Sequence, residues 1–347
     1  MIPIKNLYYI LCYANETLAV KNLVNMKCDK NDSLLNYIVK ILIDVTYKVI
    51  NQGLYMEYIE QEEVLKKVTG KIDVLNTIRG SQLKKGSAYC IYDELSTNTI
   101  VNRIIKTTYL KVYKILPRKC RERQQIENIL SYLNEISPIN VTKKIFNSLY
   151  LSALSRNYII LLDICKLLNE NLVPTDISGE QRFIDFLRDE KKMANIFEKF
   201  VYNFYNLEQQ AFHVKREIIK WDLNYNSDLA KKFLPEMKTD ISLESKNRKI
   251  IIDTKYYTET LTKRFENANE KIRSSNLYQL SSYLYNVESK QPENINKTCE
   301  GILLYPTVDH VLNIEYKFRL HDLNIITLNL NEEWEKINKK LLDIIKI

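Results

Sequence analysis

Two aspartates and a lysine stand at the ends of two short apolar segments, TDISLE (239–244) and KIIIDTK (249–255). An ionised side chain at the end of a buried strand is costly unless another group pairs with it. Side chains two residues apart on a strand point to the same face, so Asp253 and Lys255 share a face. Either the strand reaches the surface there, or the charged residues form a chemical site.

A hairpin with its turn in SKNR (245–248) determines which residues of the two segments lie opposite each other. In the most favourable register Asp240 faces Asp253, and facing carboxylates with Cβ atoms roughly 5 Å apart repel each other. A divalent cation removes this repulsion, because carboxylate oxygens bind Mg²⁺ at about 2.1 Å. Lys255 would then hold a phosphate or activate water; the alternative is an ordinary surface hairpin with charges at its open end. The same register pairs apolar residues on the other face: Ile241 with Ile252 and Leu243 with Ile250.

The composition limits the classes of protein that need to be considered. The chain has 347 residues, of which 45% are hydrophobic and 27% charged, and its formal net charge is +8. This charge is compatible with a polyanionic partner but does not require one. Six cysteines include no CxxC pair, and three histidines lack ligand spacing. The sequence therefore argues against a zinc site or a disulfide framework and favours a cytoplasmic protein with reduced thiols.

A segment rich in turn-forming residues divides the chain. The first half has helical periodicity from its opening IPIKNLYYILCYA, which is too short to span a bilayer and predicts a core helix, so no membrane association is expected. NLVPTDISGEQ (171–181) then marks a boundary. Beyond it helices alternate with strands, which predicts a mixed α/β domain with a central sheet. We expect an N-terminal domain at 1–172 and a second domain at 173–347.

The spacing of Asp240, Asp253 and Lys255 resembles the core of the PD-(D/E)xK nucleases, with Thr239 in place of the proline in that name. The resemblance implies an α+β fold, in which a mainly helical N-terminal domain precedes a restriction-endonuclease-like domain with a central mixed sheet flanked by helices. Over nearly the whole chain, the order of motifs resembles the McrC family, the nuclease subunits of McrBC-type modification-dependent restriction systems. The matching segments are IPIKNLYYILCYA, GKIDVLNTIRG (70–80), NRIIKTT (102–108), RFIDFLRDEKKM (182–193), LPEMKTDI, DTKYY, SSNLYQLSSYL (274–284) and GILLYP (301–306).

The resemblance also implies roles for the residues of the hairpin. Asp240 and Asp253 are expected to hold Mg²⁺, together with the carbonyl oxygen of Thr254. The metal would polarise the scissile phosphate and lower the pKa of a bound water. Lys255 would orient or deprotonate that water and stabilise negative charge during in-line attack; the sequence does not decide between these two roles. Glu198 is either an accessory metal residue or a solvated helix glutamate.

Gln279 and Tyr283 form a Q-x-x-x-Y pair that lies one turn apart on a helix. The pair resembles that of RecB-like nucleases, in which it supports the catalytic lysine or contacts the DNA backbone, although such pairs are common in ordinary helices. Tyr256 and Tyr257 follow the lysine and are candidates for stacking near DNA, but one of them is expected to pack in the core. Further basic residues bind phosphates or belong to a charged loop: Lys263, Arg264, Lys271 and Arg273.

The sequence contains no nucleotide-binding signature. GSQLKKGS (80–87) has five residues between its glycines and a serine after Gly86, so it does not match a phosphate loop. GTP would therefore be bound by a partner, which in this family is the AAA+ GTPase McrB. The first domain resembles the part of McrC that docks on that GTPase and stimulates it, and Arg79 is a candidate contact. The implied DNA substrate is double-stranded and carries modified cytosine.

The favoured function is a Mg²⁺-dependent DNA endonuclease subunit that acts with a GTPase in a restriction complex. One alternative is a non-catalytic activator of an AAA+ GTPase, against which the intact Asp240, Asp253 and Lys255 argue. A second alternative is a stand-alone RecB-like repair nuclease, against which the McrC-like first half argues.

Overall fold

The computed structural model describes residues 2–17, 33–149, 152, 154–174, 181–183, 189–224, 229, 232–257, 271–290, 292–307 and 311–346. Contacts between residues divide the chain into two compact units. These are the N-terminal unit, residues 35–184, and the sheet unit, which joins residues 1–34 to residues 185–347. Within the described ranges no helix is long and apolar enough to cross a membrane. Two of the basic residues considered for phosphate binding, Lys263 and Arg264, lie outside the described residues.

The helices and strands follow one another in an order close to the predicted one. Up to residue 184 they are α1 (Ile4–Ala14), α2 (Leu34–Gln52), β1 (Glu57–Leu65), β2 (Lys71–Ile72), α3 (Val74–Arg79), β3 (Ala88–Ser96), α4 (Ile100–Ile115), α5 (Arg121–Tyr132), α6 (Lys143–Asn147), α7 (Arg156–Asn171), β4 (Leu172–Pro174) and β5 (Gln181–Phe183). From residue 185 they are α8 (Glu190–Glu208), β6 (His213–Lys215), β7 (Ile218–Ile219), β8 (Met237–Lys238), β9 (Ile241–Glu244), β10 (Lys249–Thr254), α9 (Ser274–Glu288), α10 (Glu293–Asn296), β11 (Glu300–Thr307), β12 (Asn313–Phe318), β13 (His321–Asn329) and α11 (Trp334–Lys346).

The N-terminal unit is mainly helical and carries a small antiparallel sheet with strand order β1-β3-β2. Apolar residues recur at helical spacing along α2, α4 and α7, and these faces are buried. Side-chain hydrogen bonds join the helices: Tyr109 Oη donates to Thr46 Oγ1 at 2.6 Å, and Asn169 Nδ2 donates to Thr108 Oγ1 at 2.7 Å. The expected mainly helical character of this part of the chain is confirmed.

The first helix, α1, belongs to the sheet unit rather than to the N-terminal unit, which differs from the predicted division at 172/173. Tyr9 of α1 stacks on Trp334 with ring centroids 4.4 Å apart, and Tyr13 packs edge-on against Phe200 at 5.7 Å. Asn6 Nδ2 donates to the main-chain carbonyl oxygens of Leu330 and Glu332 at 2.8 and 2.7 Å. A helix can bury its apolar face against distant parts of the chain, so its position in the sequence did not reveal this packing.

The sheet unit is built on a six-stranded mixed sheet with strand order β12-β13-β11-β10-β9-β6. Strand β10 runs parallel to β11, and β11 runs parallel to β13, whereas the other neighbours are antiparallel. Parallel strands are covered on both faces, which explains the nearly continuous apolar runs of β10 and β11. The predicted central mixed sheet is confirmed.

Helix α9 covers one face of this sheet. Its residues Leu280 and Leu284 belong to the same buried cluster as Ile251 and Leu303 of the two central strands. The helix lies so close to β11 that a Cβ atom at Gly301 would be 2.9 Å from Leu284 Cδ1, which explains the glycine. This packing fixes α9 against the central strands β10 and β11, and Asp253 lies near the end of β10.

Asn6→Ala is expected to destabilise the sheet unit by about 1–3 kcal/mol, because it leaves two carbonyl groups without their buried donor. Asn6 is only 3% exposed, so water cannot replace the side chain easily. Chemical denaturation of the full-length chain measures the effect. The control is Asn128→Ala on the exposed side of α5. Equal stability of the two variants would contradict the assignment of α1 to the sheet unit.

Candidate active site

The predicted hairpin register is present up to its last apolar pair. Strand β9 pairs with β10 so that Leu243 lies opposite Ile250 and Ile241 lies opposite Ile252. The ladder ends there, and Asp240 does not form the expected directly facing pair with Asp253. Instead Asp240 Oδ2 accepts hydrogen bonds from the Thr254 amide at 2.8 Å and from Thr254 Oγ1 at 2.9 Å. A carboxylate thus takes the place of a main-chain carbonyl as the acceptor for the Thr254 amide.

Asp253 is fully buried at the end of β10, between β9 and β11. Lys255 Nζ lies 2.8 Å from Asp253 Oδ2 and forms an ion pair with it. Apart from this contact, neither oxygen of Asp253 has a hydrogen-bond partner among the described residues. A buried carboxylate normally accepts several hydrogen bonds, so Asp253 has unused capacity to bind a cation.

Electrostatics oppose the ionisation of Asp253. Burial and the neighbouring Asp240 raise the pKa of Asp253 to about 7, although Lys255 acts in the opposite direction. Burial lowers the pKa of Lys255, but Asp253 and Asp240 outweigh this effect and hold the pKa above its usual range. Lys255 is therefore a cation at neutral pH, and the site has a surplus of carboxylates for which a metal ion is the natural counter-charge.

A chain of hydrogen bonds holds Lys255 in place. Lys255 Nζ donates to Gln279 Oε1 at 3.0 Å, and Gln279 Nε2 donates to Tyr283 Oη at 2.7 Å. Tyr283 Oη donates in turn to the carbonyl oxygen of Lys238 at 2.9 Å. These bonds fix the orientation of the Gln279 amide, and they connect the segment before Asp240 to the lysine after Asp253. The structure thus brings Gln279 and Tyr283 together with Asp253 and Lys255.

Thr239 makes two hydrogen bonds that a proline at this position could not make. Its main-chain amide donates to Glu217 O at 2.9 Å, and its hydroxyl accepts from the Glu217 amide at 2.9 Å. Glu217 also pairs with the buried Lys249 at 2.8 Å. Glu217 lies far from Thr239 in the sequence, and only the fold brings the two residues together. The substitution therefore anchors the segment that ends in Asp240.

Glu198 of α8 approaches the site but already has a partner. Its Oε1 lies 3.0 Å from Arg216 Nη2, and this arginine was not considered in the sequence analysis. Burial and the charge of Asp240 raise the pKa of Glu198, whereas Arg216 lowers it. The effect of Asp240 on Glu198 means that the two carboxylates are electrostatic neighbours.

The remaining predicted residues differ in their relation to this centre. Burial and the nearby Glu190 raise the pKa of Tyr256, and no hydrogen bond in the described structure joins Tyr256 to the catalytic candidates. Tyr257 packs against the core beneath α9, as expected for one of the two tyrosines. Arg79 is exposed at the end of α3 in the N-terminal unit.

Asp253→Asn is expected to gain stability over the wild type as the pH rises. The folded-state pKa of Asp253 exceeds that of an unfolded aspartate, so the wild type loses stability as the pH rises from about 4 to about 7, whereas asparagine does not. Melting temperatures in a metal chelator should therefore diverge by a few degrees over this range. Asp322→Asn, at an exposed ion pair with Lys317, is the control and should show no such divergence. A constant difference across the range would contradict the buried-carboxylate model.

Gln279→Ala and Tyr283→Phe are expected to be coupled in a double-mutant cycle of unfolding free energies. Each change breaks the same hydrogen-bond chain, so their combined effect should differ from the sum by roughly 0.5–3 kcal/mol. Tyr285→Phe, on the exposed side of the same helix, is the matched control and should be additive with Gln279→Ala. If the effects of both pairs are additive, the hydrogen bonds of Gln279 and Tyr283 are independent of each other.

Comparisons with known proteins identify the family to which the chain belongs. A family model described as "McrBC 5-methylcytosine restriction system component" matches residues 4–306. The chain is 33% identical over 344 residues, 99% of its own length and 97% of the relative's, to the Escherichia coli (strain K12) protein "Type IV methyl-directed restriction enzyme EcoKMcrBC". Its fold is similar, with a TM-score of 0.59 and 15% identity over 99% of this chain and 76% of the other, to a chain of the solved half-complex of Thermococcus gammatolerans McrB AAA+ hexamers with bound McrC. The chain therefore belongs to the McrBC family of restriction system components, as the resemblance of its motifs to McrC had indicated.

Proposed function

We propose that this chain is the DNA endonuclease subunit of a GTP-dependent restriction complex directed against modified cytosine. In this proposal it hydrolyses phosphodiester bonds with Mg²⁺ and stimulates a GTPase partner. The observation that carries the proposal is the buried Asp253, which lies next to Asp240 and whose oxygens have no partner among the described residues apart from the ion pair with the anchored Lys255. Family membership supplies the context of a restriction system.

The donor set of the site fits Mg²⁺. Within the described residues no three side chains of the His, Cys, Asp and Glu types form a ready metal cage. Mg²⁺ does not need one, because it keeps several waters and is usually held by one or two carboxylates plus substrate phosphates. Asp240 and Asp253 would provide the carboxylates and Thr254 its carbonyl oxygen, with Glu198 reached through water. When bound, the metal would polarise the phosphate and lower the pKa of a water.

Lys255 has the properties of an electrostatic stabiliser. Its raised pKa keeps it protonated, and its bond to Gln279 fixes the position of the ammonium group. A fixed cation next to the scissile phosphate stabilises the negative charge that develops during attack by water. We therefore favour this role over proton abstraction. Attack at phosphorus with departure of the 3′ oxygen would leave 5′-phosphate and 3′-hydroxyl ends.

The proposed partners are an AAA+ GTPase of the McrB type and double-stranded DNA that carries modified cytosine. The solved Thermococcus gammatolerans relative is bound to McrB AAA+ hexamers, and we infer an equivalent partner here. Helix α3 is a suitable contact because it exposes the apolar residues Val74, Leu75 and Ile78 beside Arg79. Exposed apolar groups next to a charge are typical of protein interfaces. Such a complex would act on DNA in the cytoplasm, and Tyr256 would stack near that DNA.

A non-catalytic activator explains the site less well. An activator without metal chemistry would gain stability if Asp253 were replaced by a neutral residue, because the ionisation of this buried carboxyl is unfavourable. The retention of Asp253 together with Asp240, Lys255 and the Gln279–Tyr283 support favours hydrolysis. A stand-alone repair nuclease would not need a family-typical N-terminal unit.

Asp253→Asn is expected to abolish DNA cleavage and to leave GTP hydrolysis by the partner stimulated at close to the wild-type level. The change deletes a metal ligand but keeps the shape of the side chain. Arg79→Glu should have the opposite effect and weaken GTPase stimulation, because it reverses a charge on the proposed docking helix. The measurement is GTP turnover and cleavage of methylated DNA, side by side, for the reconstituted complex.

The matched control for Arg79→Glu is Arg118→Glu, an equally exposed site in the loop before α5. It should leave both activities unchanged. If Asp253→Asn loses both activities while it remains folded, the division of tasks between the two units is wrong. If Asp253→Asn still cuts DNA, the proposed nuclease site is wrong.

A further inference from the structure

Among the described residues, the guanidinium group of Arg273 has no charged partner. It lies over the ring of Tyr257, with Cζ 4.1 Å from the ring centroid. Its Nε is buried and has no hydrogen-bond partner, and no ion pair joins Arg273 to a carboxylate in the described part of the chain. A partly buried arginine normally pairs with an anion, because removing its charge from water is otherwise costly.

Tyr257 is held rigidly under this arginine. Tyr257 Oη donates to Asn276 Oδ1 at 3.2 Å, and Asn276 Nδ2 donates to Tyr305 Oη at 3.0 Å. Asn276 and Tyr305 are almost fully buried. The ring therefore has a fixed orientation, and the guanidinium group of Arg273 lies above it. A preoriented arginine loses little conformational freedom when it binds a ligand.

The position of Arg273 in the helix contradicts the usual preferences for helix ends. It is the N-cap residue of α9, its side chain forms no capping hydrogen bond, and the first turn contains no acidic residue. Ser, Thr, Asp and Asn are favoured at this position, and a cation at the positive end of the helix dipole is destabilising. A residue that breaks local preferences without a structural gain is often retained for function. An anion bound by Arg273 would remove this conflict.

The anion would lie close to the candidate active site. Arg273 precedes Gln279 by six residues, which corresponds to roughly 9 Å along the helix axis. Gln279 contacts Lys255 directly, and Tyr257 follows Lys255 by two residues. Phosphates of one DNA strand advance by about 3.4 Å per nucleotide along the duplex axis. Arg273 is therefore within a few nucleotides of the position where the bond would be cut.

We propose that Arg273, stacked on Tyr257, binds a backbone phosphate of the DNA strand within a few nucleotides of the scissile bond. This inference rests on the proposed nuclease function and assigns it a specific DNA contact. Arginine forks bind phosphate oxygens through two parallel hydrogen bonds. A contact of this kind fixes the register of the DNA over the site and is independent of base sequence.

The test compares DNA binding by Arg273→Gln, Arg273→Lys and a control in the full chain with its GTPase partner. All are made in the Asp253→Asn background so that the DNA stays intact, and the probe is a short duplex oligonucleotide, methylated or unmethylated. Arg273→Gln should weaken binding about tenfold, the loss of one hydrogen-bonded charge contact. The negative slope of log K against log salt should become shallower by about 0.9, which corresponds to the loss of one phosphate contact. Both effects should be equal for the two probes.

Two further variants separate charge from stacking. Arg273→Lys keeps the charge without the fork and should recover the salt slope but only part of the affinity. Tyr257→Leu removes the stacking surface and should weaken binding less than Arg273→Gln does. The control Lys336→Gln removes an exposed positive charge on α11 and should leave the slope unchanged.

The outcomes separate this inference from the proposed nuclease function. If Arg273→Gln has the same affinity and salt slope as Lys336→Gln, the phosphate contact is overturned even when the complex with intact Asp253 cuts DNA. A lower melting temperature of Arg273→Gln with an unchanged salt slope also overturns it, because the arginine then pairs within its own chain. If the complex does not cut DNA but Arg273→Gln lowers the slope, the nuclease proposal fails while the phosphate contact stands.

Discussion

The buried carboxyl group of Asp253 is the constraint on which the rest of the site depends. It lies on β10, whose neighbours β9 and β11 prevent it from moving towards water. Burial and the charge of Asp240 raise the pKa of Asp253 to about 7, although the ion pair with Lys255 acts in the opposite direction. The apolar residues of β10 and the packing of α9 hold the strand in place in spite of this unfavourable charge. This unfavourable charge is the observation from which we propose a bound cation.

The local part of this arrangement could be predicted from sequence. Side chains alternate along a strand, so a shift of one residue would have moved Ile241 and Leu243 to the wrong face, and the register followed from their pairing. The last pair could not be predicted in this way. At the end of a ladder a side chain can replace a main-chain acceptor, and the carboxylate of Asp240 does so for Thr254. Spacing showed that the two aspartates were close, but not how they were oriented.

Contacts between distant segments account for what the sequence analysis missed. The side chain of Asn6 donates a hydrogen bond to the carbonyl oxygen of Leu330. Helix α1 therefore belongs to the sheet unit, although the whole N-terminal unit lies between them in the sequence. Arg216, directly after β6, forms an ion pair with Glu198 of α8. The sequence pattern of neither segment predicts this contact. Periodicity predicts which face of an element is buried, but not which of several apolar faces it meets. Such pairs require the tertiary structure.

Helix α9 connects these contacts into a single frame. Through Gln279 it positions the charge of Lys255, and through Tyr283 it holds the carbonyl of Lys238, two residues before Asp240. A displacement of α9 would therefore move both the lysine and the carboxylate segment, so their geometry is preserved together. In its first turn, Asn276 accepts a hydrogen bond from Tyr257, whose ring lies beneath Arg273. Groups that act on one substrate need relative positions accurate to a fraction of an ångström, and mounting them on one well-packed helix achieves this more reliably than separate loops would.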